Sequence, residues 1–105
     1  MNDEKGPSPT NVYILKSTRG FVVRPAVAAV SRKGRLRFVN HTRQEVVVFL
    51  PSLYGRGLHT VLAGKDTTLD VPEGAPYGPH TYAAYSEEAR DFCLGESSPI
   101  IIIDE

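Results

Sequence analysis

Tryptophan is absent from this chain, cysteine occurs once, at Cys93, and methionine once, at Met1. A lone thiol excludes any disulfide within the chain, so the fold must rest on buried surface. At 105 residues a single domain buries roughly two thirds of the surface that its unfolded chain exposes, and needs no covalent staple. Cys93 is then an inert buried side chain, a reactive thiol or half of an intermolecular bridge. Long apolar runs are also missing. The segment MNDEKGPSPT is polar and contains proline, without the apolar stretch of a signal peptide, and no ~20-residue apolar span follows it. The expectation is a soluble chain with no membrane span, cytoplasmic by default, and periplasmic or exported if a signal has been removed.

Catalytic signatures are lacking too. There is no G-x-S-x-G elbow, no P-loop, no G-x-G-x-x-G opening a helix, and no cysteine with a well-placed histidine. Asp66, Asp70 and Glu73 cluster in sequence but read as solvated acids around a turn and a strand end. The chain is expected not to be an enzyme, and no residue is assigned a catalytic role.

Acidic residues are missing from the first half. None lies between Lys5 and Gln44, while Lys16, Arg19, Arg24, Arg32, Lys33, Arg35, Arg37 and Arg43 all fall there, although the formal net charge of the chain is +0. Two readings follow. Basic and acidic strands stand side by side as exposed cross-strand pairs, or Arg32, Lys33, Arg35, Arg37 and Arg43 form a surface for nucleic acid or another polyanion. The first is the reading for which the chain needs no partner.

What is present is short segments rich in Val, Ile, Tyr, Phe and Thr, punctuated by Gly and Pro every 8 to 12 residues or so, the spacing of an all-β sandwich or barrel. Strands are expected near 12–16, 20–24, 27–30, 35–39, 45–50, 58–62, 67–71, 80–85 and 99–103, after a disordered lead over residues 1–10. Residues 11–105 then form one domain. In RLRFV, Leu36 and Phe38 point one way and Arg35 and Arg37 the other. EVVVFL and PIIII do not alternate, so their second faces are apolar as well and must be covered within the domain or by another molecule. Gly34 and Gly64 mark turns that favour glycine's backbone freedom, and Pro25, Pro51, Pro72 and Pro99 flank strands. SEEARDF is the best candidate for a helical turn, capped by Ser86.

The order of landmarks in FVVRPAVAAVSRKGRLRFVNHTRQEVVVFLP, in LAGKDTTLDVPEGAPYGPHTYAAY and in SSPIIII resembles the cupredoxins, the Greek-key sandwich family of the blue copper proteins. Over residues 12–103 the resemblance implies a cupredoxin-like β-sandwich of about 7–9 strands. It also implies a type 1 copper centre built from a histidine before the apolar strand that follows Asn40, then a cysteine, a histidine and a methionine in the last loop. Here the first position falls at Glu45 or Val46 and the thiolate position at Tyr85. No histidine follows residue 80, and the one methionine is Met1.

The expected function is therefore a cupredoxin-like domain without copper or other cofactor, kept as a structural or protein-interaction module, with a protein partner or a second copy of itself on its apolar strands. The alternatives are a copper or zinc carrier or sensor using His41, His59, His80 and Cys93 in a site of another kind, and the polyanion-binding module above. His41 is expected in a turn and His59 and His80 in strands, with no two at the short spacing of a zinc hook. Asn40-His41-Thr42 also matches the glycosylation acceptor pattern, which matters only in a glycosylating compartment.

Overall fold

A computed structural model of the chain describes residues 8–18, 20–55, 57–86, 91–92 and 99–104. In chain order the elements are β1 (Thr10–Ser17), β2 (Gly20–Arg24), β3 (Val27–Ser31), β4 (Arg35–Asn40), β5 (Val46–Phe49), the short helix α1 (Pro51–Tyr54), β6 (Leu58–Val61), β7 (Asp66–Asp70), β8 (Gly78–Thr81), β9 (Ala83–Ser86), β10 (Asp91–Phe92) and β11 (Ile100–Asp104).

The first sheet has the order β2-β1-β4-β7. The second layer is recorded in two parts, β3-β11-β8 and β10-β9-β5-β6, but β8 and β9 are halves of one extended run interrupted only at Tyr82. The Tyr82 N–H still donates to Pro99 O at 3.1 Å. One layer therefore runs from β3 through β11 and the strand 78–86 to β5 and β6. Pairing is parallel for β1 with β4 and for β3 with β11, and antiparallel elsewhere. At the cis bond between Arg24 and Pro25 the chain leaves the first sheet and enters the second.

Strict alternation builds the core. Val12, Ile14, Val23, Leu36 and Phe38 of the first sheet and Val46, Val48, Val61 and Ile101 of the second are fully buried, each flanked along its strand by neighbours on the opposite face. The rim is tied by two hydroxyls. Thr10 Oγ1 donates to Ala29 O at 3.1 Å, from β1 to β3, and Thr67 Oγ1 to Thr60 O at 2.9 Å, from β7 to β6.

The strands fall where the sequence pattern puts them, with instructive differences. The strand expected at 80–85 is divided at Tyr82, and β10 adds a two-residue pair, Asp91 with Ser86 and Phe92 with Tyr85. SEEARDF does not end as a helical turn, because Asp91 and Phe92 are strand; residues 87–90 lie outside those described, as do residues 1–7 of the expected lead. The helix that does form begins at Pro51, which suits a first helical position because proline's missing N–H has no partner to lose there. Gly64 has the expected positive φ of 71°. Gly34 does not; it is required by close approach, since a Cβ there would lie 3.0 Å from Val30 Cγ2 and 3.1 Å from Ser31 Oγ.

Phe38 packs at the centre of the sandwich, edge-on to Tyr82 at a centroid distance of 5.8 Å. Phe38→Ala is expected to lower the unfolding free energy by about 3–5 kcal/mol in urea titration. A loss below about 1 kcal/mol would mean that the core is centred elsewhere.

Candidate functional site

β4 ends in a fully buried polar residue, Asn40. Its amide nitrogen donates to Gln44 O at 2.8 Å and to Val61 O at 3.0 Å, and its Oδ1 accepts from the Thr42 N–H at 2.9 Å and the Thr42 hydroxyl at 2.7 Å. The Asn40 N–H bonds Lys65 O at 2.8 Å, and the Ser86 hydroxyl donates to Gln44 Oε1 at 3.2 Å. The 41–45 loop, the 62–65 turn and the end of β9 thus meet at one corner, held by saturated hydrogen bonds.

The histidines are dispersed. His41 is exposed and stacks on Tyr13, rings 5.7 Å apart and 8° from parallel, on the outer face of the first sheet. His59 meets the Tyr54 ring edge-on at 5.1 Å, and its Nε2 is buried with no hydrogen-bond partner among the described residues. His80 is buried and fully committed: Nε2 lies 2.8 Å from Pro76 O, which can only accept, so Nε2 carries the proton and Nδ1 accepts from the Ser52 hydroxyl at 2.9 Å. That leaves His80 no lone pair for a metal, and makes it a strut between β8, α1 and the 71–77 loop. Cys93 lies outside the described residues. Among the described residues no three of His, Cys, Asp and Glu gather into a group that could hold a metal ion.

No protein-family model and no curated protein matches the chain. Solved structures do. An amicyanin in its Cu(I) form aligns at TM-score 0.63 with 10% identity, over 94% of this chain and 85% of that one. Amicyanin from Paracoccus versutus aligns at 0.61 with 11% identity, over 96% and 87%. A copper-containing nitrite reductase from Thermus scotoductus aligns at 0.62 with 13% identity, over 95% of this chain and 23% of that one. The fold is that of the cupredoxins.

Within that fold, the described side chains at the Asn40 corner do not fit a type 1 copper ion. Val46 is sealed in the core, and Glu45 is exposed. Tyr85 points away from the core on β9, half-buried on the outer face, so the inward neighbours at the thiolate end are Ala84 and Ser86. This corrects the expectation that Tyr85 itself fills the metal's corner: alternation turns it outward. None of these groups supplies an imidazole or a thiolate, and Ser86 is hydrogen-bonded to Gln44.

The five basic residues of the polyanion reading are spread from one end of β4 to beyond the other. Arg37 pairs with Asp66 at 2.6 Å, Arg35 stands opposite Asp70 across β4 and β7, Arg32 and Lys33 sit in the turn before β4, and Arg43 lies in the loop beyond its far end. The side-by-side reading of the charge asymmetry holds for Arg35 and Arg37, which stand against the acidic residues of β7.

What the second layer presents outward is unlike the rest of the surface. Val27 and Ala29 of β3, Ile100 and Ile102 of β11, Pro79 and Thr81 of β8, Ala83 and Tyr85 of β9, Val47 and Phe49 of β5, and Leu58 and Thr60 of β6 alternate with the core residues. None is charged. Val27 is 48% and Leu58 66% exposed, so both ends of this face reach solvent. The non-alternating runs EVVVFL and PIIII lie within it, which is where their second apolar faces go. No helix among the described residues is long and apolar enough to cross a membrane.

Two outcomes test the site. Asn40→Ala strands Val61 O and the Thr42 N–H, leaving Gln44 O only the Thr42 hydroxyl at 3.0 Å, and is expected to cost about 3 kcal/mol of stability, whereas His41→Ala should change it by less than about 0.5 kcal/mol. Equal effects in urea titration would contradict the hydrogen-bonded corner. Tyr54, whose hydroxyl donates to Asp70 O at 2.7 Å, has its pKa raised from 10.0 to about 12 by burial and then by the Asp70 carboxylate. The folded value lies above the unfolded one, so this contribution to stability is complete below pH 10 and is lost as pH rises through about 12. Unfolding titrations between those values should show a shallower loss in Tyr54→Phe than in the parent; identical slopes would contradict the assignment.

Proposed function

We propose that this chain is a copper-free cupredoxin-fold module whose work is docking, and that the occupant of its docking surface is a second copy of itself. The supporting observation is the chemistry of the second layer's outer face, where twelve outward side chains on β3, β5, β6, β8, β9 and β11 carry no charge and the charged Asp104 stands only at the end of β11. A face whose charge is confined to its margin has little with which to select a partner by electrostatic complementarity, but it can meet its own copy across a two-fold axis.

The strands of this face, β3, β11, the run Gly78–Ser86, β5 and β6, cover roughly 430 Å² at about 3.3 Å per residue and about 4.8 Å between strands, so an interface of ~800 Å² per partner takes in the loops at their ends as well. Apolar character of this kind is typical of homodimer contacts rather than of transient ones.

Sedimentation or light scattering over a concentration series is expected to give twice the chain mass at the upper end. Phe49→Glu and Ile102→Glu bury a charge in the interface and should each weaken association more than tenfold without loss of fold, while Tyr13→Glu on the opposite sheet should leave it unchanged. A single-chain mass at every concentration would refute the proposal.

A further inference from the structure

At the end of the sandwich away from Asn40, the turn after β3 and the 71–77 loop enclose a cleft of about 560 Å³ lined by Ser31, Arg32, Lys33, Glu73 and Tyr77. A cleft of that size suits a small organic ligand. Its most ordered feature is Arg32. The backbone N–H of Arg32 bonds Asp104 O at 3.0 Å, its Nε donates to Ala75 O at 2.9 Å, and its guanidinium lies 3.9 Å over the ring centroid of Tyr77. The bond to Ala75 explains Nε as a brace for the loop. It leaves the two terminal nitrogens, held flat and fixed in direction, with no hydrogen-bond partner among the described residues. Lys33, the next residue, is exposed and has none either. A guanidinium fork whose orientation is set before a ligand arrives is the arrangement that binds a planar, two-oxygen anion most effectively.

The balance of charge narrows the ligand. Among the described residues two cations and one carboxylate line the cleft, so a monoanion is matched, whereas a phosphate dianion or a nucleic acid backbone meets the repulsion of Glu73. The remaining arginines of the first half are elsewhere, with Arg37 paired to Asp66, so the cleft cannot extend into a polyanion track. Tyr77, 53% exposed, offers apolar ring surface beside the fork. We infer that this cleft is a binding site for a small organic carboxylate, its oxygens taking the paired terminal N–H groups of Arg32 and the ammonium of Lys33. The inference does not rest on the docking face, which the cleft only borders at Ser31.

The test is a nitrogen-15 NMR titration of the full chain with benzoate and with N-acetylglycine, a surrogate for a peptide C-terminus, against inorganic phosphate for comparison. Saturable shifts centred on residues 31–33 and 73–77 are expected with at least one carboxylate. A response to benzoate alone identifies free aromatic acids as the ligand class, and a response to N-acetylglycine identifies chain termini. Arg32→Gln and Lys33→Gln should each weaken the response about tenfold or more, and Arg43→Gln should not alter it. Lys33→Gln keeps the brace to Ala75 and so separates loss of binding from loss of the loop. The inference is overturned if neither carboxylate saturates by about 20 mM, a concentration that would detect even millimolar affinity. It is equally overturned if phosphate binds more tightly than both, or if Arg32→Gln and Lys33→Gln respond as the parent does.

Discussion

One buried amide organises the end of this sandwich where metal chemistry would be expected. Asn40 has two donors and a two-lone-pair acceptor, and every one of them is used, on Gln44, Val61 and Thr42. In a buried setting that saturation is what makes the residue stabilising, because any one of these bonds left unmade would cost the desolvation of its partner. The loop it holds delivers Val46 into the core, and through Gln44 and Ser86 it is joined to the end of β9. The 41–45 loop, the 62–65 turn and the end of β9 are joined there by amide and hydroxyl groups.

The two sheets solve the problem of their outer faces in different ways. On the first, strand order brings basic β4 against acidic β7, so that Arg35 and Arg37 stand across from Asp70 and from Thr68 with Asp66 within reach. These exposed pairs contribute little to stability, but they make the face soluble and account for the segregation of charge between the two halves of the sequence. On the second sheet the same alternation leaves mostly uncharged side chains outward among the described residues, with Asp104 at the end of β11 as an exception. Both faces follow from the pleat; only the composition of the outward positions differs.

That difference sets how much could be read from the sequence. RLRFV declares its faces because its two sets of side chains differ in polarity, and the structure buries Leu36 and Phe38 as that pattern requires. VVVF and IIII carry the same periodicity but hide it, since both faces are apolar; that they have two apolar sides was legible, and which residues point outward was not. The inward placement of Ala84 and Ser86 rather than Tyr85 is the same difficulty on a smaller scale: the phase of the strand 78–86 is set by its pairing with Val47–Phe49 and with β11, a contact distant in sequence. Asn40 was recognisable as the end of a strand, but its partners span residues 42 to 61 and no local signal announces them. His80 likewise reads as an ordinary strand histidine until Ser52 and Pro76 arrive on either side of its ring. The cleft at Arg32 and Tyr77 joins residues separated by most of the middle of the chain, and only the finished topology brings them together.

The proposal is that hydrogen bonds hold the Asn40 corner in place of a metal while the cupredoxin sandwich is kept. Titration of the purified, chelator-treated chain with copper(II), followed by visible absorption and by metal retained after gel filtration, tests it most directly. The account predicts no intense blue band and no stoichiometric copper carried through the column. An intense thiolate-to-copper band accompanied by about one retained equivalent would contradict it.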